Sequence, residues 1–182
     1  MTVFNGERLD AEVFQLDRER MAAGWYSDVY FRNISDILKK LSKEGYEFKG
    51  HNIGDIEVEM QIFPRRQPYC IVGGIDEALG ILKVAAGYED EDGNFVNTSN
   101  SLEVMACQDG SKAYYEGNPN NVQPVIKVRG RYRDFSILET PMLGSLTEAS
   151  RIATNVYKVM VAARGKDILF FPDLHLRPAP FG

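Results

Sequence analysis

The feature that most constrains the fold of this chain is a stretch in which apolar and polar side chains alternate strictly. It lies within residues 53–63 (IGDIEVEMQIF), and its alternating members are Ile56, Glu57, Val58, Glu59, Met60, Gln61 and Ile62. A repeat of two residues matches a β-strand that has one face buried and the other in water. Such one-sided strands are common in antiparallel sheets. The stretch therefore predicts a strand of an antiparallel sheet.

Apolar residues at helical spacing predict helices around that sheet. The predicted helices cover residues 8–23, 33–43, 75–86 and 146–164. Further short strands are expected near residues 69–72, 102–107 and 124–131, and a fully apolar strand at 167–171. This order of elements predicts an α+β fold, in which helices flank an antiparallel sheet and a βα-type element follows at the C-terminal end.

The charge and composition argue against several classes of function. The chain has 182 residues and a formal net charge of −5, from 21 basic and 26 acidic side chains. Sequence-independent nucleic-acid binding needs a basic surplus, so no nucleic-acid partner is expected. No apolar run approaches about 18 residues and no signal peptide is found, which predicts a cytoplasmic protein without a membrane span. Cys70 and Cys107 lack the spacing of zinc ligands and are expected to be small buried apolar residues.

Taken one by one, the candidate functional residues allow two interpretations each. The backbone amides of Gly73-Gly74, ahead of a predicted helix, either hold an anion or form a tight turn, and we favour the turn. Glu139 is either catalytic or, as we favour, a capping acid ahead of a helix. The Arg65-Arg66 pair either binds a phosphate or carboxylate or belongs to a solvated surface. Tyr30 either stacks on a flat ligand or fills the core, and its local pattern does not decide.

Three blocks of the chain together carry a more specific signal. Residues 27–31 (SDVYF) match a (T/S)-D-x-Y signature. Residues 58–82 contain a strand, an arginine-proline turn and a G-G-I-x-E-A-L helix start. Residues 132–172 contain F-x-x-L-E-T, followed by a helix with A-T-N and an apolar strand. In this order and spacing the chain resembles the nicotinate phosphoribosyltransferase family over residues 27–172.

The resemblance implies a portion of an enzyme of NAD biosynthesis. Members of the family join nicotinate to phosphoribosyl pyrophosphate, giving nicotinate mononucleotide and pyrophosphate, usually with ATP hydrolysis. The resemblance implies an N-terminal α+β domain over residues 1–140, a long helix and the first strand of an otherwise absent α/β barrel over 141–172, and an irregular tail over 173–182. Nicotinate, phosphoribosyl pyrophosphate, Mg and ATP are implied for the full enzyme, with no cofactor and no metal held by this chain.

Three residues are implied as the substrate-binding side of the active site. By resemblance, Tyr30 stacks on the pyridine ring from across a dimer interface, Phe171 faces it from the first barrel strand, and Asp28 orients the site. Relatives place an arginine shortly after that second aromatic residue, where this chain has Asp173 and Leu174. No residue of this chain is therefore implied as catalytic.

The isolated chain is expected to be inactive, because the residues that would bind phosphate in the family belong to the barrel. A truncated, frameshifted or split gene is the expectation for its origin. The alternative function is a non-catalytic binding or oligomerisation module derived from the family. In either case the apolar faces of residues 146–164 and 168–171 would lack their barrel contacts, which predicts a homo-oligomer that covers them.

Overall fold

Short antiparallel strands and α-helices make up the part of the chain that the computed structural model describes, residues 7–169. The strands are β1 (Glu47–Phe48), β2 (His51–Asn52), β3 (Glu57–Ile62), β4 (Tyr69–Ile71), β5 (Gly87–Glu89), β6 (Phe95–Asn97), β7 (Glu103–Ala106), β8 (Lys112–Tyr114) and β9 (Ile126–Arg131). The α-helices are α1 (Arg18–Ala22), α2 (Val29–Lys43), α3 (Ile75–Ala85) and α4 (Glu139–Ala163). None of these helices is both long and apolar enough to cross a membrane.

The alternating stretch forms the edge of a three-stranded antiparallel sheet. β3 pairs with β9, with Met60 opposite Val128, and β9 pairs in turn with β7. Glu57 and Glu59 are exposed, whereas Ile62 is buried. Val128, on the middle strand, has no exposed surface. The predicted strand and its one-sided burial are therefore confirmed.

The core lies among this sheet, α3 and the first half of α4. α3 buries Ile75 and Ile81 completely, and α4 does the same with Met142. Phe135 and Leu138, in the turns that precede α4, belong to the same buried cluster. Each such side chain stabilises the fold by about 1.5–3 kcal/mol relative to an exposed one. The predicted α+β class, with helices flanking antiparallel strands, is confirmed.

The Gly73-Gly74 pair is a point of close packing between α3 and α4. Gly74 has a positive φ of 85°, and a Cβ atom there would lie 2.7 Å from the carbonyl oxygen of Ser145. The amides of the first two residues of α3 donate to the carboxylate of Asp109, at 2.9 and 3.2 Å. An internal carboxylate therefore occupies the N-terminus of α3, and the favoured interpretation of the glycine pair as a tight turn agrees with the structure.

Side-chain hydroxyls join α4 to β4, whose backbone pairs with β8. The Ile71 amide donates to Thr154 Oγ1 at 2.9 Å, and the Gly73 amide donates to Ser150 Oγ at 3.0 Å. Thr154 is fully buried, so its hydroxyl is shielded from water. They satisfy backbone donors that would otherwise lose their hydrogen bonds beneath the helix.

The predicted helix over residues 8–23 is wrong. The segment forms a 3₁₀ turn at Ala11–Phe14 and then the short helix α1, separated by Gln15 with a positive φ of 48°. Asp10 and Asp17 each cap a separate helical start, because each carboxylate accepts a backbone amide that follows it closely in sequence. These local capping bonds outweigh the apolar periodicity of the segment.

Two helices begin earlier than predicted. α2 starts at Val29 rather than at residue 33, and α4 starts at Glu139 rather than at residue 146. Pro141 falls in the first turn of α4, where a proline costs no intrahelical hydrogen bond. Of the strand predicted at 167–171, residues 167–169 have no regular structure, and the rest lies outside the described residues.

Candidate functional site

The starts of α2 and α4 meet at Asp28, one of the predicted site residues. Asp28 immediately precedes α2 and contacts Thr140 in the first turn of α4. The Asp28 amide donates to Thr140 Oγ1 at 3.1 Å, and the Thr140 hydroxyl donates to Asp28 Oδ2 at 3.2 Å. These reciprocal bonds join two segments that are 112 residues apart in sequence. Asp28 thereby orients the two helix starts relative to each other.

Tyr30, the second predicted site residue, lies on the surface in the first turn of α2. It is 53% exposed, and its ring contacts that of Phe31 with the two centroids 4.2 Å apart. Phe31 is buried and supports the tyrosine ring. Partial desolvation, and then the negative charges of Asp28 and Glu139, raise the pKa of the Tyr30 hydroxyl. Of the two interpretations of Tyr30, the structure therefore excludes a role in filling the core.

Glu139 and Tyr132 lie close to these residues, and together they form what we call the acidic tyrosine cluster: Asp28, Tyr30, Tyr132, Glu139 and Thr140. Burial, and then the charge of Asp28, raise the pKa of the Glu139 carboxyl. Burial, and then the charges of Glu139 and Tyr30, raise the pKa of the Tyr132 hydroxyl. These mutual charge effects indicate that two carboxyl groups and two phenols lie near one another.

Sequence reasoning identified only part of this cluster. Glu139 was expected ahead of a helix as a capping acid, but it is the first residue of α4 itself. A negative charge in a first turn is favoured by the helix dipole. Tyr132 and Thr140 were missed as site residues, although both lie within the block of residues 132–172. That block is far from the SDVYF segment in sequence, so no local pattern signals that the two meet.

An ion-pair network fixes the turn that carries Tyr132. Arg131 donates to Asp134 Oδ2 from two nitrogens, at 2.7 and 3.0 Å, and Arg133 lies 2.8 Å from Asp55. The side chain of Asp134 is only 3% exposed, so its bonds to Arg131 are shielded from solvent and strong. These two arginines therefore have internal partners and position the turn between β9 and α4.

Two depressions flank α4 near the cluster. A shallow depression of about 540 Å³ includes Asp28 and extends along α4 to Arg151. A more enclosed groove of about 600 Å³ lies between α4 and the end of β3, and both Glu139 and the Arg65-Arg66 pair line it. Tyr30 lines neither depression.

The cluster offers side chains that can bind a ligand. The Tyr30 ring can stack on a flat ring, and Asp28 and Glu139 can accept hydrogen bonds from a ligand. Within residues 7–169 no group of three or more His, Cys, Asp or Glu side chains is placed to hold a metal ion. Phe171, the third predicted site residue, lies outside the described residues, so its role stays a prediction.

A solved structure shares this fold. The chain is similar to the crystal structure of nicotinate-nucleotide pyrophosphorylase from Pyrococcus furiosus, with a TM-score of 0.60 and 24% sequence identity. The match covers 91% of this chain and 35% of that protein, so this chain spans about a third of its length. At this level of identity the similarity concerns the fold.

The sequence also matches a family, over the segment that contains the acidic tyrosine cluster. Residues 28–150 match the sequence model of quinolinate phosphoribosyl transferase, N-terminal domain. The predicted resemblance is thereby confirmed for the N-terminal domain of a phosphoribosyltransferase, whereas the narrower assignment to the nicotinate enzymes stays a prediction. The match extends over more than half of the chain, and the chain therefore belongs to the family of quinolinate phosphoribosyl transferase N-terminal domains.

Proposed function

We propose that the chain is the N-terminal domain of a nicotinate phosphoribosyltransferase of NAD biosynthesis, and that it supplies the pyridine-binding side of the active site. The observation that carries the proposal is the exposed ring of Tyr30, supported by Phe31 and close to the carboxylate of Asp28. A planar pyridine ring is stabilised by stacking on such a surface. Asp28 is a positioning residue, because its bonds to Thr140 hold the start of α2 against α4.

The charges around Tyr30 favour nicotinate over quinolinate as the ring that stacks there. Asp28 and Glu139 both act on the pKa of the Tyr30 hydroxyl, so two carboxyl groups lie near it. Quinolinate carries two carboxylates and nicotinate carries one, and the repulsion at this surface is therefore larger for quinolinate. Protonation of Glu139, whose pKa is raised by burial, reduces this difference as the pH falls.

The proposed role of the chain in the reaction is to hold the ring. The ring nitrogen of nicotinate bonds to C1′ of phosphoribosyl pyrophosphate while the bond from C1′ to pyrophosphate breaks. Holding the ring in line contributes through orientation rather than through proton transfer. Mg²⁺ and ATP belong to the proposed full enzyme. Within residues 7–169 no group of three or more His, Cys, Asp or Glu side chains is placed to hold a metal ion, and the proposal routes no step through one.

The proposed site is completed by a second surface. Tyr30 lies outside both depressions, so a ring stacked on it is otherwise open to solvent. We assign the opposing surface to another copy of the chain, with Phe171 as the facing ring. The proposal therefore includes a homo-oligomer.

Titration of the purified chain with pyridine acids tests the substrate assignment. We expect nicotinate to bind more tightly than quinolinate, and Tyr30→Ala to weaken nicotinate binding by roughly tenfold, since stacking on one aromatic ring contributes about 1–3 kcal/mol. Tyr30→Phe keeps the ring and should retain the affinity. Tyr46→Ala is the matched control, because Tyr46 is 48% exposed and lies outside the cluster. Tighter binding of quinolinate, or an equal loss in the control, would contradict the assignment.

A non-catalytic oligomerisation module is the second candidate, and the second half of α4 favours it. Val156, Val159 and Met160 are 43%, 52% and 60% exposed. Apolar surface of this kind marks an interaction site. In light scattering we expect a mass above that of the monomer, and Met160→Lys should lower it. A monomer at every concentration would count against oligomerisation in both candidates.

Binding and turnover together separate the two candidates. Nicotinate binding without turnover fits the domain of a larger enzyme, whereas neither binding nor turnover fits the module. We expect no nicotinate mononucleotide to form when the chain alone is supplied with nicotinate, phosphoribosyl pyrophosphate, Mg²⁺ and ATP. Measurable formation of the product would show that our assignment of the chain as one side of an active site is wrong.

A further inference from the structure

The groove between α4 and the end of β3 has properties that the pyridine site does not use. It has a volume of about 600 Å³, which lies in the range of small-molecule sites. Its apolar lining includes Met60, Phe63, Val72, Val125, Leu143 and Leu146. Tyr30 is not among the lining residues, so a ligand in the groove and a ring on Tyr30 occupy different surfaces.

Two arginines of the groove, Arg65 and Arg66, are held by contacts other than carboxylates in the part of the chain that the structure describes. Arg66 donates from Nη2 to Asn155 Oδ1 at 2.7 Å, and the Arg65 guanidinium lies 5.6 Å from the centroid of the Phe63 ring. Neither arginine forms an ion pair with a carboxylate within residues 7–169. Each guanidinium therefore keeps donors for an anion, and the two contacts restrict its position before a ligand arrives.

The two ends of the groove differ in charge. Glu139 is the first residue of α4, whereas the bond from Arg66 to Asn155 places that arginine along the second half of the helix. From Glu139 to Arg151, which also lines the groove, α4 rises by about 18 Å. An anionic group is attracted to the arginine end and repelled from the Glu139 end. Only a ligand with one anionic end and an apolar body satisfies both ends and the apolar wall.

We propose that this groove is a second binding site, which takes an amphipathic organic anion. The head group, a carboxylate or a phosphate monoester, binds Arg65 and Arg66, and an aliphatic body lies on Leu143 and Leu146. Guanidinium groups bind either head group through charge-assisted hydrogen bonds. The site does not depend on the pyridine assignment, because the four residues that bind the anion lie outside the acidic tyrosine cluster, and Glu139 is the one cluster member that also lines the groove.

Calorimetric titration with three probes that share one aliphatic body tests the proposal. The probes are octanoate, octyl phosphate and the neutral octanamide, each below its micelle concentration. We expect saturable binding of at least one anion at a single site, with octanamide at least roughly tenfold weaker because it lacks the charge-assisted bonds. The anion that binds more tightly identifies the head group. Absence of saturable binding by both anions, or equal binding of octanamide, would overturn the proposal.

Variants locate the binding within the groove. Arg66→Gln should weaken the tighter anion by roughly tenfold. Arg129→Gln is the matched control, because Arg129 is an exposed arginine that pairs with Glu103 at 3.7 Å on the central sheet. Leu143→Glu should abolish binding through charge and Leu143→Met should preserve it, while circular dichroism checks that each variant is folded. Unchanged binding in Arg66→Gln, or an equal loss in Arg129→Gln, would also overturn the site.

The same variants keep this proposal separate from the pyridine site. Nicotinate binding should be lost in Tyr30→Ala and unchanged in Arg66→Gln, and anion binding in the groove should show the reverse pattern. Loss of both ligands in one of these variants would mean that the two surfaces form one site and would overturn the second site.

Discussion

The two halves of α4 differ sharply in their surroundings, although both carry many apolar side chains. The first half buries Met142 and Leu146 against α3 and the central sheet. In the second half Thr154 is buried, but all residues from 155 to 162 are exposed. The exposed apolar residues of that half are Ile152, Val156, Tyr157, Val159, Met160 and Val161. The helix therefore shows that local apolar content does not determine burial.

The difference arises from what lies beside each half. The Gly73-Gly74 pair lets the backbone of the α3 start approach Ser145 and Ala149, so the first half packs closely. Thr154 is bound to β4 through the amide of Ile71. Beyond that residue α4 still contacts β4 through the rings of Tyr157 and Tyr69, whose centroids lie 6.1 Å apart, but residues 155–162 are all exposed. Its apolar side chains are thus available to another part of the proposed enzyme or to a second copy of the chain.

The largest expected effect comes from adding a side chain at the point where the start of α3 packs against α4. Gly74→Ala should lower the free energy of unfolding by about 4 kcal/mol, because it combines a positive φ with a clash against backbone. Gly165→Ala is the matched control, since Gly165 has a φ of 83° but nothing lies within 4 Å of the point that its Cβ atom would occupy. This substitution should lower the free energy of unfolding by about 1–2 kcal/mol, because it strains the backbone without a clash. Equal losses in urea unfolding would show that close packing is not what holds the first half.

Truncating one methionine in each half of α4 gives the next largest effect. Met142→Ala removes a fully buried side chain and should lower the free energy of unfolding by about 3 kcal/mol. Met160→Ala changes the same residue type at 60% exposure, and its effect should stay within about 0.5 kcal/mol for the monomer. Chemical denaturation at low protein concentration measures both. A comparable loss at Met160 would mean that the second half is covered in solution.

The smallest effect concerns the charge at the start of α4. The pKa of Glu139 is raised in the folded chain, so its contribution to stability is fully present below the ordinary pKa of a glutamate and is lost as the pH rises through the raised value. The stability of Glu139→Gln relative to the parent should therefore increase as the pH rises from 4 to 7. The change is measured by urea unfolding at both values. Glu116→Gln, on an exposed loop, is the control, and the same trend there would contradict the assignment to Glu139.

Sequence patterns predicted the elements that have one face buried and the other face in water. The alternation over residues 56–62 became β3, and the apolar spacing over 75–86 became α3, because each pattern matches one buried face. The segment over 8–23 was misread as one helix, since capping by Asp10 and Asp17 depends on turn geometry that periodicity does not express. The acidic tyrosine cluster was only half predicted, because Tyr132 and Thr140 reach Tyr30 and Asp28 through contacts between distant segments.

The sequence by itself determined the α+β class, the main strand and the family blocks that carry Asp28 and Tyr30. These follow from local periodicity and from residue order, which need no knowledge of distant contacts. Only the tertiary structure decided that Tyr30 is exposed, that Asp109 occupies the start of α3, and that the second half of α4 is uncovered. Burial, hydrogen-bond partners and pKa shifts depend on which segments meet in space, and a one-dimensional pattern does not specify those meetings.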